Sequence, residues 1–450
     1  MSFEVPMQQK SNIQSQETGR SGMATGSVTA VVGANWGDEG KGKITDYLAS
    51  RADFVVRFQG GNNAGHTIII EHGKFALRLL PSGVFYSHVI NVLGPGVALN
   101  IPAFIEERNA LLERGVATPQ LRVSHRAQVV LPHHLFFDAA EEDRLGERKF
   151  GSTRSGMAPF YADKYAKVGL GVTDLLDRPR LRSRLEDMLP IKNVLRQHLY
   201  GQPALELEPL LDQLQEQGEA IRPFLCDTTQ LLHEALDKGQ QVLVEGQLGA
   251  LRDPDHGIYP YSTSSSTLAG YAAVGAGLPP SALTRVVAVA KSYSSCVGAG
   301  PFVTEIFGDE AHELRQRGGD AGEYGVNTGR PRRMGWFDAV ATRYGCRVQG
   351  ATEVALTLLD VLSYREEIPV CVAYEVEGKR LSTFPLTAQL AKATPVYEVM
   401  PGWMHDISGA RRFEELPSPA QHYVNHVENL IGVPIRSISV GPHREATIER

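Results

Sequence analysis

The sequence predicts an α/β fold with a large, mainly parallel central sheet and flanking helices. Three observations lead there. Short apolar runs rich in Val, Ile and Leu recur along the chain, at Val28–Val32, Gln241–Glu245, Val286–Ala290 and Ala355–Asp360. Stretches with helical spacing separate them. That alternation builds parallel sheets, with ligands at the C-terminal strand edge. The third observation is the turn Gly33-Ala-Asn-Trp-Gly-Asp-Glu-Gly-Lys-Gly-Lys43, which follows the first run and leads into a helix beginning at Ile44. A strand, a glycine-rich turn and a helix N-terminus form the usual cradle for phosphate, because backbone N–H groups converge there. The spacing Gly37-x-x-x-x-Gly42-Lys43 nearly fits a P-loop, but Ile44 stands where a Ser or Thr would hold Mg²⁺. Asp38 lies inside the loop instead, and a carboxylate beside phosphate needs a metal or a proton transfer to justify it.

Length and composition narrow the function classes. The 450 residues are 42% hydrophobic and 21% charged, ordinary values for a globular protein. The net charge of −6 argues against a general nucleic-acid surface. No apolar run is long enough to span a membrane, so no membrane role is expected. The four cysteines, Cys226, Cys296, Cys346 and Cys371, form no CxxC pair, and a cytoplasmic protein fits best. Residues 1–26 are rich in Ser, Gln and Gly and are expected to be a disordered tail. Residues 27–450 are expected to form one α/β domain with a helical insertion at about 180–240.

The elements follow in order. Asp53–Phe58 reads as a strand running into Gln59-Gly-Gly-Asn-Asn63-Ala-Gly65-His66-Thr67, a second Gly- and Asn-rich turn. His66–Ile70 and Lys74–Leu80 read as a hairpin. Ala103–Arg114 reads as an amphipathic helix with Pro102 ahead of its first turn, and residues 134–149 as another. Gly151–Pro159, with Thr153, reads as a flexible loop. The Leu-, Glu- and Arg-rich stretch 180–240 reads as a solvated helical layer. Asp253–Ser265 is too polar and too rich in Pro and Gly for core. Residues 309–317 read as a helix. In Gly325-Val-Asn-Thr328-Gly-Arg330-Pro-Arg332-Arg333 the arginines beside Gly and Thr suit capture of a small anion. Ala355–Asp360 reads as a strand closing on an acid. A helix at about 418–431 then leads to the strand Ile435–Ser439.

The string Trp36-Gly-Asp-Glu-Gly-Lys-Gly-Lys43 resembles the signature of the adenylosuccinate synthetases. The resemblance extends over nearly the whole chain from Val28. It includes the Asn63-Ala-Gly-His66 loop, Leu80-Pro-Ser-Gly, Asp255-His-Gly-Ile-Tyr-Pro-Tyr, Val297-Gly-Ala-Gly-Pro-Phe, Thr328-Gly-Arg and Tyr397-Glu-Val-Met-Pro-Gly-Trp403. It implies a GTP-dependent ligase that phosphorylates the 6-oxygen of IMP and lets the amino group of aspartate displace the phosphate. It implies Asp38 as the base at N1, with Lys41 and His66 at the transferred phosphoryl. Mg²⁺ would be held by Asp38 and the Gly65 carbonyl. The GTP site would comprise Gly37, Glu39, Gly40, Lys41, Gly42, Gly65, His66, Thr67, Asp360, Ser439 and Gly441. The acceptor site would comprise Asn63, Thr153, Gln247, Leu248, Thr263 and Arg330, with Lys167 reaching in from the other subunit of a homodimer. Val326, Asn327, Thr328 and Arg332 would hold aspartate.

The chain departs from the family pattern at several of these positions. Leu248 stands where the family carries the Gln that faces the base, with Gln247 one residue away. Lys167 replaces Arg, Leu358 replaces Lys, Cys296 replaces Arg, and Asn327 and Pro331 replace Thr and Arg. These changes raise a second expectation: the same phosphorylate-then-displace chemistry on a different acceptor.

Overall fold

The computed structural model describes residues 26–71, 73–319, 322–325 and 329–450. Its centre is a ten-stranded sheet. In chain order the strands are β1 (Ser27–Gly33), β2 (Phe54–Arg57), β3 (Ile90–Leu93), β4 (Gln120–Ser124), β5 (Leu225–Cys226), β6 (Gln241–Glu245), β7 (Leu283–Lys291), β8 (Glu353–Thr357), β9 (Ile435–Ser439) and β10 (Thr447–Glu449). Across the sheet they run β10-β9-β8-β7-β1-β6-β2-β3-β4-β5, all parallel except the edge strand β10. The order reverses at β1, which lies between β6 and β7, and such switch points open a crevice at the C-terminal strand ends. In β1, Ala30, Val31 and Val32 are fully buried. Helices cover both faces of a parallel sheet, which explains the unbroken apolar run. Each such Val contributes about 1.5–3 kcal/mol by leaving water.

Helix α1 (Lys41–Ala49) follows β1. The hairpin expected after it forms as His66–Ile70 against Gly73–Leu77. The helix expected at Ala103 is α2 (Ile101–Glu113); it begins at Ile101, because the Asn100 side chain caps it by accepting from the Ala103 N–H at 3.1 Å.

Three expectations need correction. Residues 157–159 belong not to a loop but to helix α3 (Met157–Ala166), where Pro159 lies in the first turn and leaves no helical bond unmade. The insertion is more than a solvated layer. Leu181 and Leu185 of α4 (Arg178–Val194) and Leu211 and Leu214 of α5 (Leu207–Ile221) are fully buried, in one cluster with Phe104, Val123 and Leu131. Asp360 does not close a strand. β8 ends at Thr357, and Asp360 lies in the 3₁₀ turn Leu359–Tyr364. Apart from Gly26, the expected tail lies outside the described residues, as do Val326, Asn327 and Thr328.

Candidate active site

A cavity of about 1190 Å³ opens at the C-terminal ends of the strands beside β1. One end is walled by Ser439, Gly441 and Pro442. The middle is formed by Asp38, Lys41, Gly65, His66 and Arg332, and the remaining wall by Thr153, Leu248 and Thr263.

The loop after β1 presents open backbone donors. Gly40, the N-cap of α1, has φ 87 and no side chain to cap the helix, so the first-turn N–H groups of Lys41, Gly42 and Lys43 carry no helical bond. The macrodipole adds partial positive charge there. Gly42 is required by close approach: a Cβ on it would lie 2.9 Å from the Cβ of His66. Glu39 is buried and does not face the cavity. Its carboxylate accepts from the Asn35 N–H at 3.1 Å and the Gly37 N–H at 2.8 Å and pairs with Lys41 Nζ at 2.5 Å. It shapes the loop from behind. Thr357 Oγ1 donates to the Glu39 carbonyl at 2.6 Å and ties the end of β8 to the same turn.

His66 is buried in the wall, and its Nδ1 is hydrogen-bonded to Glu245, the last residue of β6. Glu245 also accepts from the Ser82 N–H at 2.7 Å and its hydroxyl at 2.6 Å. Burial pushes the Glu245 carboxyl up, but His66, Arg57 and Ser82 outweigh it and hold the group below the usual carboxylate range. An anionic Glu245 makes Nδ1 the donor and leaves Nε2 of His66 for a ligand.

Asp38 sits at φ 59 and is joined to Arg332, whose Nη2 lies 3.1 Å from Asp38 Oδ1. Arg332 also pairs with buried Glu323, which accepts from Lys291 Nζ at 2.6 Å and the Tyr293 hydroxyl at 2.5 Å. Burial alone would raise the Glu323 carboxyl, but Lys291 and Arg332 hold it down at about 2. Arg332 is thus fixed from behind by an anion and points its other nitrogen at the loop acid.

At the opposite end Lys43 donates to Ser439 Oγ at 2.6 Å, the Gly441 carbonyl at 2.7 Å and the Ala446 carbonyl at 2.9 Å. Asp360 lies nearby. Burial raises its carboxyl to about 6 against the attraction of Lys43, and its Oδ1 is buried with no hydrogen-bond partner among the described residues.

The two neighbours at the centre, Gln247 and Leu248, part company. Leu248, at φ 61, lines the cavity against Gly37. Gln247 is fully buried behind it. It accepts from Arg57 Nη2 at 2.6 Å and donates to Asn63 Oδ1 at 3.0 Å. A Cβ on Gly60 would collide with it at 1.3 Å, so Gly60 makes that placement possible. Gln247 therefore supports Asn63 and does not take the place of the missing Gln. Lys167 is exposed at the C-cap of α3 and does not line this chain's cavity. Arg330 is also exposed, with Nη1 3.6 Å from where a Cβ on Gly151 would stand.

Sequence reasoning passed over Lys43, Lys291, Glu323 and Glu245. Lys291 and Glu245 each close a buried apolar strand at its ligand edge, which is a usable signal. Glu323 shows none, since its role appears only once Arg332 folds over it. A second cluster, His133, His134 and Asp163, brings ligand-type atoms within 4.8 Å of one another. His134 Nδ1 accepts the Leu131 N–H at 2.9 Å, so its Nε2 carries the proton and donates to Asp163 at 3.0 Å. Lys192 occupies the other Asp163 oxygen. The atoms that face one another, both Nε2 and the two Asp163 oxygens, are engaged in these hydrogen bonds, and His133 Nδ1 is buried with no partner among the described residues.

Comparison with known proteins agrees with this geometry. The family profile described as adenylosuccinate synthetase matches residues 30–448. The adenylosuccinate synthetase of Streptococcus gordonii is 46% identical over 93% of this chain and 96% of its own length. That of Listeria monocytogenes is 45% identical over 94% of this chain and 97% of its own. The fully ligated adenylosuccinate synthetase from Plasmodium falciparum superposes with a TM-score of 0.87 at 36% identity, covering 94% of this chain and all of that one. A cyanophage S-2L succinoaminodeoxyadenylate synthetase shares the fold alone, with a TM-score of 0.58 at 20% identity. None of this supports a changed acceptor. The chain belongs to the adenylosuccinate synthetase family, the GTP-dependent ligases that join L-aspartate to IMP.

Proposed function

We propose that Asp38 is the general base, Lys41 and His66 the electrostatic partners of the transferred phosphoryl group, and Arg332 the anchor for an aspartate carboxylate. The observation that carries this reading is the meeting of Asp38 and Arg332 at 3.1 Å on the floor of one cavity. A base at N1 of IMP removes a proton and turns the 6-oxygen into a nucleophile. That oxygen attacks the γ-phosphorus of GTP, the bond to the GDP oxygen breaks, and 6-phosphoryl-IMP forms. The aspartate amine then attacks C6 and phosphate leaves with the C–O electron pair. Arg332, at the base, sets the amine beside C6.

The open N–H groups of the α1 N-terminus support binding of the GTP phosphates. The guanine end is read as Ser439, Gly441 and Asp360, whose unpartnered oxygen suits the N1–H and 2-amino group of guanine. Thr153, Thr263 and Asn63 suit the IMP phosphate. Val326, Asn327 and Thr328 complete the aspartate loop in this reading. The donor set for Mg²⁺, a carboxylate at Asp38 and the main-chain oxygen of Gly65, is hard and fits that ion. Bound there, Mg²⁺ would offset phosphate charge.

We further propose a cytoplasmic homodimer in which Lys167 serves the partner's acceptor site. Lys167 is exposed, and Tyr165, Ile191, Val194 and Leu199 nearby are more than half exposed apolar side chains. The salt bridge between Asp163 and Lys192 brings their two helices together. Among the described residues no helix is long and apolar enough to cross a membrane.

The test is direct. Purified protein with IMP, aspartate, GTP and Mg²⁺ should yield adenylosuccinate by mass, in equal amount with GDP. GDP release without adenylosuccinate would overturn the acceptor assignment.

A further inference from the structure

We propose that Arg252 is a positioning residue for the reaction, whose buried guanidinium holds the acceptor loop and the aspartate side of the cavity in one register. Arg252 is 7% exposed. Its Nη1 donates to the carbonyls of Tyr261 and Ala299, the latter at 3.2 Å. Its Nη2 donates to the Val297 carbonyl at 2.6 Å and lies 2.8 Å from Cys296 Sγ. Its own carbonyl accepts the Thr263 N–H at 2.8 Å, so one residue holds both ends of Tyr261–Thr263.

The other half of the device is Arg333. Its Nη1 donates to the carbonyls of Gly298, at 3.3 Å, and Gly300, at 2.8 Å, while Nε and Nη2 grip Glu305. The carbonyls of 297, 298, 299 and 300 are therefore held alternately by Arg252 and Arg333. Arg333 adjoins Arg332, the proposed aspartate anchor. The Ala299 N–H donates to the Phe150 carbonyl at 3.1 Å, which brings in the loop that carries Thr153. The strip 297–300 is thus braced by two planar forks, one on the Thr263 side and one on the Arg332 side. A guanidinium holds carbonyls with a rigid planar fork of five donors, whereas an ammonium offers three rotatable donors on a flexible stem.

Among the described residues no carboxylate lies within ion-pair distance of Arg252, whereas Arg333 has Glu305. A buried cation without a counter-ion is costly, and an anion bound in the same cavity would relieve the cost. The inference is therefore that Arg252 favours an anionic acceptor both by holding Thr263 and by its field.

This rests on the acceptor reading above. Turnover of the parent enzyme with IMP tests that reading, and ratios between variants and parent test this one. Arg252→Leu should raise the KM for IMP by about 10- to 100-fold, the scale of a small misplacement of binding groups, while the KM for GTP stays within about twofold. Cys296 is close enough that an arginine placed there would carry its guanidinium into the same hole. The double variant Arg252→Leu/Cys296→Arg should recover most of the lost IMP affinity. Arg252→Lys, which keeps the charge but not the fork, should fall between the parent and Arg252→Leu. If Arg252→Leu does not fold, Arg252→Lys decides by the same readout. An unchanged KM for IMP in the variant that folds, or an equal rise for all three substrates, would overturn the proposal.

Discussion

Replacing Glu245 by Gln changes one charge and almost no volume at a fully buried site. The Gln carbonyl can still accept from the Ser82 N–H. Its amide group then faces His66 Nδ1 as a donor, and two donors cannot share a hydrogen bond. His66 must deprotonate Nδ1 and carry its only proton on Nε2. The lost charge-assisted bond is worth about 1.5–3 kcal/mol. If that free energy serves the phosphoryl-transfer transition state, kcat falls by about 10- to 150-fold, at 1.36 kcal/mol per decade. Because the change acts through His66 and not on a bound ligand, the KM values for IMP and aspartate should move by less than about twofold. Steady-state rates of adenylosuccinate formation at saturating substrates measure this, with a thermal melt as the control for folding. The decisive comparison is the double variant with His66→Ala. If Glu245 acts only through His66, the double variant is no slower than His66→Ala alone. Losses that multiply, or a Glu245→Gln enzyme with parental kcat, would refute the reasoning.

Other outcomes follow from the same geometry. Asp38→Ala should abolish turnover while GTP still binds, since the N–H groups of α1 remain; isothermal titration with GTP and an adenylosuccinate assay check the two halves, and measurable turnover would remove Asp38 as the base. Asp360 should make GTP use depend on acid. Its carboxyl is raised to about 6 by burial, and it must be ionised to accept from guanine, so affinity is complete above that pH and is lost as pH falls through it. The KM for GTP should rise by up to about tenfold per pH unit below 6, and the limb should vanish in Asp360→Asn; a flat profile in the parent would remove Asp360 from the guanine site. Leu248→Gln places an amide in the cavity beside Gly37 and Asp38. An oxyanion-type donor is worth roughly 2.7–4 kcal/mol, which bounds the gain in kcat at about 10²- to 10³-fold, and no gain would mean that another group already meets the 6-oxygen.

How far the sequence speaks depends on whether a residue's role is set locally. The β1–α1 turn was legible because its function is a backbone conformation, and glycines at fixed spacing announce it. The strand runs were legible because a strand buried on both faces must be apolar throughout. Helix α3 was missed because Pro159 and the four glycines and serines ahead of the helix (Gly151, Ser152, Ser155 and Gly156) read as loop, although Pro is tolerated in a first turn. The buried faces of α4 and α5 were hidden by charged residues that dominate the composition while Leu181, Leu185, Leu211 and Leu214 turn inward. Long-range partners were beyond reach. Glu323 pairs with Lys291 across 32 positions, and Lys43 reaches carbonyls some 400 positions away. No local pattern encodes such pairs, because the fold alone brings them together.

The departures from the family pattern fall on one side of a physical division. In the proposed reading Asp38, Lys41 and His66 act on charge that develops only during phosphoryl transfer, so each would be worth its full contribution to the rate and none would be replaceable by a neighbour. Leu358, Leu248, Cys296 and Lys167 fall, in the same reading, at positions where binding would be shared among several contacts. At two of them the structure shows a neighbour bearing on the same wall: Lys43 holds Ser439 and Gly441, which line the cavity with Leu358, and Arg252 reaches the backbone beside Cys296. Ground-state binding spread over many groups tolerates exchange, because the loss of one contact is a fraction of the total and a nearby residue can restore it. Transition-state stabilisation at a single oxygen or phosphorus tolerates none. A pocket can therefore change much of its lining while the reaction it performs stays the same.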